Sequence, residues 1–133
     1  MVRDAFDTHG VVFKNGTATL LARIVGSDGT AILQADLTAI EYTVYLLDDQ
    51  DPDSWTPVTS HTGVAVAIAT SVFDALQTDD LWDVDDTGYN FRYALSLATV
   101  TPFAIAGRNY LVVFTFDPVA GQDIRVRFRC HAI

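Results

Sequence analysis

Residues 107–116 read Gly107-Arg108-Asn109-Tyr110-Leu111-Val112-Val113-Phe114-Thr115-Phe116, and residues 124–133 read Ile124-Arg125-Val126-Arg127-Phe128-Arg129-Cys130-His131-Ala132-Ile133. In the second stretch Ile124, Val126, Phe128 and Cys130 alternate with Arg125, Arg127, Arg129 and His131. That period of two is the signature of a strand with one face in a core and one in solvent. In the first, Tyr110 stands two residues before the inward position Val112 at the start of the penultimate strand, where a tyrosine corner sits in a two-sheet sandwich.

The same period recurs upstream. Ala18, Leu20, Ala22 and Ile24 alternate within residues 17–25, and Ile40, Tyr42, Val44 and Leu46 within 39–47. Val64, Val66 and Ile68 alternate with Ala65, Ala67 and Ala69. Further strands are expected at 89–95, 110–116 and 123–133, with a brief extension at 31–33. Ser71 followed by Asp74, with Val72, Phe73 and Leu76 on one side, predicts a short helix over 71–77. Residues 48–57 and 79–88 are rich in Asp and read as solvated loops. Turn signals about ten residues apart, with no long helices between them, predict an all-β chain. The architecture is an antiparallel immunoglobulin-like β-sandwich of seven to eight strands with one short helix. A flexible N-terminal arm over 1–10 and a single domain over 11–133 complete the organisation.

Composition points the same way. The chain has 133 residues, half of them hydrophobic, enough for one domain with a real core. Its 17 acidic residues comprise sixteen Asp and Glu41; its 8 basic residues comprise seven Arg and Lys14. Asp competes for backbone hydrogen bonds and prefers turns, so this balance disfavours helices. The net charge of −9 argues against nucleic acid or an anionic membrane surface as partner. The single Cys130 forbids an intrachain disulfide. No stretch approaches the ~18 apolar residues of a membrane helix, and the N-terminus carries no apolar export signal.

Catalytic signatures are missing. His9, His61 and His131 are scattered, with no Gly-x-Ser-x-Gly elbow, no cysteine–histidine pattern and no phosphate-cradling glycine loop. One Cys and three distant His do not make a zinc site. No cofactor is expected, with calcium as the metal to consider. Asp83, Asp85 and Thr87, ahead of Gly88, resemble the first half of a calcium loop, but position twelve is Ala94 where a bidentate Glu is needed. That leaves an irregular loop site at most. Arg125, Arg127 and Arg129 form a row that either blunts an edge strand or docks an acidic surface. Ala65, Ala67 and Ala69 give a second candidate contact face, small rather than polar. Trp55 and Trp82, beside the acidic loops, are the candidates for stacking on a sugar or other ligand.

From Leu81 to Phe116 the chain runs Trp82-Asp83-Val84-Asp85-Asp86-Thr87-Gly88-Tyr89-Asn90-Phe91, then Pro102-Phe103 and the Tyr110-led strand; Pro118-Val-Ala-Gly121 follows. This half resembles small immunoglobulin-like proteins encoded among the structural genes of tailed bacteriophages. The resemblance implies a non-enzymatic component of a virion, a tail, connector or head accessory protein, assembled in the host cytoplasm. Its expected partners are copies of itself or other virion proteins. The alternative is a ligand- or glycan-binding sandwich module working through Trp55 and Trp82.

Overall fold

A computed structural model describes residues 7–12, 18–26, 29–51, 53–80, 82, 85–95 and 102–133. Strand β1 (Asp7–Val12) lies parallel to β9 (Ile124–Ala132), which pairs antiparallel with β8 (Asn109–Pro118). Next to β8 is β3 (Leu37–Leu47), whose far edge is shared by β4 (Trp55–Pro57) and β5 (Val64–Val66). The facing sheet is smaller, with β7 (Tyr89–Leu95) between β2 (Ala18–Ala22) and β6 (Val72–Gln77), all antiparallel. Six strands against three, in the orders β1-β9-β8-β3-β4, with β5 also on β3, and β2-β7-β6, make an all-β sandwich.

Aromatic side chains fill the space between the sheets. Phe114 is fully buried, with ring centroids of Phe91, Tyr93, Tyr42 and Phe128 at 4.9, 5.7, 5.7 and 5.7 Å. Tilted and edge-to-face contacts of this kind add to the area that burial removes from water. Val112 is fully buried at the inward position where a sandwich of this kind often carries a cysteine, and Cys130 is buried with its thiol pushed up to about 11 by desolvation. The tyrosine corner is present: the Ile105 N–H donates to the Tyr110 hydroxyl at 3.0 Å. The Tyr110 ring meets Phe103 edge-on at 5.3 Å.

Asn90 and Gly88 lock the connections. The buried Asn90 side chain accepts from the Ile24 N–H at 2.7 Å and donates to the Ile24 and Ile32 carbonyls at 2.9 and 3.2 Å. Gly88 holds φ at +102°, and a Cβ there would lie 2.4 Å from the Gln77 carbonyl oxygen, so only glycine fits.

Four expectations need correcting. The helix expected over 71–77 is strand β6; the helical turn lies just before it, over Ile68–Ser71. A seven-residue helix is marginal in water. Here Asp74 accepts the Gln34 N–H at 2.7 Å, and Gln34 Nε2 donates to the Val72 carbonyl at 2.7 Å, tying this segment to the turn before β3. The strand expected over 64–69 ends at Val66, and residues 55–57 of the expected loop are β4. Residues 7–10 of the expected arm belong to β1. With these short edge strands the described residues hold nine strands where seven or eight were expected.

Candidate functional site

Alternation that buries Tyr42, Phe114 and Phe128 turns their neighbours outward, onto the open face of the six-stranded sheet. Register then fixes who stands beside whom. Ala65, Glu41, Thr115 and Arg125 form one row across β5, β3, β8 and β9. Thr43, Val113 and Arg127 form the next, and Tyr45, Leu111 and Arg129 the third, where Leu111 is fully buried beneath its neighbours. Rows are about 7 Å apart and neighbouring strands about 5 Å, so Glu41 and Arg125 are about 10 Å apart with Thr115 between them.

A shallow groove of about 450 Å³ lies over this face. Val113 and Thr115 form its floor, Arg125 and Arg127 one side, and Glu41, Thr43, Tyr45 and Trp55 the other. Trp55 is 41% exposed, its ring 5.5 Å from that of Tyr45. At the end of the face beyond Arg125, burial and a hydrogen bond with Asp123 raise the Asp117 carboxyl above its ordinary range. At the opposite end His131 Nδ1 is 2.8 Å from Asn109 Oδ1.

The residues picked from sequence are thus sorted into groups. Arg125, Arg127 and Arg129 share the face with Trp55 and Ala65. Ala67 and Ala69 leave the strand, Ala67 at the start of the helical turn and Ala69 within it, so the three alanines form no common face. Trp82 lies elsewhere: its Nε1 donates to Asp85 Oδ1 at 3.0 Å and its ring packs 5.7 Å from Tyr89.

Asp85 is the centre of that second loop. Its Oδ1 also accepts the Thr87 and Gly88 N–H groups at 3.0 and 3.1 Å, and its Oδ2 takes Arg23 at 2.7 Å. These donors, Trp82 first, hold the Asp85 carboxyl well below the usual carboxylate range. A cation would compete with all four donors for the same two oxygens, so the geometry is that of a clasp closing the loop. Asp83 lies outside the described residues, and Thr87 enters through its backbone. Among the described residues no group of three His, Cys, Asp or Glu is arranged to hold a metal. The first loop is tied similarly: Asp48 accepts the Gln50 and Asp51 N–H groups at 2.8 and 3.0 Å, and Asp49 is 2.8 Å from Arg108 Nε.

Sequence reasoning missed one buried pair, His61 Nδ1 at 2.9 Å from the Tyr42 hydroxyl. Burial and then Tyr93 push the Tyr42 phenol up to about 12. The inward parity of Tyr42 was visible; a histidine folding back from the β4–β5 loop was not. It also missed Glu41 as the acidic counterpart of Arg125, which only the β3–β8–β9 order reveals.

No family model matches this chain, and neither a curated protein nor a solved structure is similar to it at a significant level. No helix among the described residues is long and apolar enough to cross a membrane.

Proposed function

We propose that this chain is a non-enzymatic assembly component of a phage virion, in the tail, connector or head accessory class, which docks through the open face of its six-stranded sheet. The observation that carries the docking is the cation distribution. In a chain of net charge −9, three arginines follow one another along β9, and two of them, Arg125 and Arg127, line a groove with an exposed tryptophan. Arginine and tryptophan are enriched in the buried centres of protein interfaces, and a row of cations in an acidic protein selects the orientation of a partner. The virion setting is supported by the resemblance over residues 81–121.

Light scattering on a size-exclusion column tests the docking. At about 0.15 M salt a defined oligomer is expected, dissociating toward monomer at about 1 M, where charge pairs are screened within ~3 Å. The Arg125→Glu variant should be monomeric under both conditions with a melting temperature close to the parent's, because that side chain is exposed. A strict monomer for the parent chain at every concentration would overturn the reading.

The second reading, a glycan-binding module, has one observation in its favour: Tyr45 and the exposed Trp55 form an aromatic wall beside hydroxyl-bearing Thr43 and Thr115. It predicts a monomer whose tryptophan emission responds to oligosaccharides.

A further inference from the structure

The open sheet face is divided about β8, and the division has a consequence for symmetry. On one side β3 carries Glu41, Thr43 and Tyr45; on the other β9 carries Arg125, Arg127 and Arg129 in the same three rows. A two-fold axis lying in the interface plane and running along β8 keeps each row in place and exchanges the two sides. It would set Arg125 of one copy over Glu41 of the other, Arg127 over Thr43, and Arg129 over the ring of Tyr45. Each contact occurs twice, which is the defining property of an isologous interface.

We infer that the partner on this face is a second copy of the chain, packed sheet to sheet as an isologous dimer about an axis along β8. The inference rests on the docking reading above and specifies its occupant. Charge complementarity selects the axis. A two-fold axis running across the strands would stack β9 on β9 and place arginine on arginine, whereas the axis along β8 pairs each arginine with a carboxylate, a hydroxyl or an aromatic face. The shorter floor residues Val113 and Thr115 leave a depression that long arginine side chains from both copies can lean into.

The area is sufficient. Five strands at about 4.8 Å and three rows at about 7 Å span roughly 500 Å² per copy, or about 1,000 Å² for a pair, the lower bound for a specific interface. Two chains of charge −9 repel at long range, but that repulsion is screened over ~8 Å at physiological salt, while the row pairs act at contact distance.

A complementation experiment tests this pairing. In Arg125→Glu alone, Glu would face Glu41 of the second copy; in Glu41→Arg alone, Arg would face Arg125. Each single variant should therefore weaken the dimer by at least about tenfold, with melting temperatures close to the parent because both side chains are exposed. An equimolar mixture should recover a mixed dimer, since both junctions are then Glu against Arg, and native mass spectrometry separates it from either homodimer by mass. A mixture that stays as dissociated as its components would overturn the two-fold pairing even where the parent oligomer persists and Arg125→Glu breaks it, an outcome that leaves docking by this face intact. A parent chain that never associates removes the docking reading and this inference together.

Discussion

Strand β8 has two faces that differ in what they need. Its inner residues Tyr110, Val112, Phe114 and Phe116 are all buried, and every ring finds a partner inside the chain. Its outer residues Val113 and Thr115 lie at the floor of a groove lined by Arg125, Arg127, Tyr45 and the exposed Trp55. The contrast teaches where stability and the proposed docking separate in this molecule: one side of a single strand closes the core, and the other carries the groove on which the docking proposal rests.

The largest effect should come from breaking the inner side. Replacing Phe114 by Ala removes a ring in contact with four others, at a cost of about 3–5 kcal/mol. That is a large share of the ~5–15 kcal/mol that holds a domain of ordinary stability. Chemical denaturation should show it as a fall in midpoint; a midpoint near that of the parent would mean the rings are loosely packed. Tyr110→Phe is the finer inner change. It deletes only the hydroxyl that receives the Ile105 N–H, and about 1 kcal/mol should be lost with no change in oligomeric mass.

Alkali probes the inner side from another direction. The Tyr42 phenol is raised in the fold from its ordinary value near 10 to about 12, so the folded state holds its proton more tightly than the unfolded chain. Its contribution to stability is complete below pH ~10 and is lost as pH rises toward 12. Thermal melts of parent and Tyr42→Phe should therefore diverge less as pH climbs through that window, and a constant difference would mean the phenol is not responsible.

The fold was legible because period-two alternation is local and because Tyr110 announces its corner within a few residues. The segment 72–77 was not, since six residues containing Val, Phe and Leu satisfy a short amphipathic helix and an edge strand equally well, and Gln34, some 40 residues away in sequence, decides between them. Strand β1 escaped for a similar reason: its partner β9 lies more than a hundred residues downstream. At the candidate site the arginine row was plain in the sequence, but Glu41 opposite it was invisible without knowing that β8 runs between β3 and β9. Trp55 and Trp82 sit in near-identical acidic contexts, and only the Asp85 acceptor beside Trp82 separates a loop clasp from an exposed ring.

The most direct test of recognition by the outer face uses Trp55 as its reporter. In a Trp82→Phe variant Trp55 is the sole tryptophan, and acrylamide quenching can be followed from dilute to concentrated protein. The account predicts that quenching falls as the oligomer forms and returns at high salt. An oligomer that leaves Trp55 as open to quencher as the dilute chain would contradict it, because the copies would then meet through another surface.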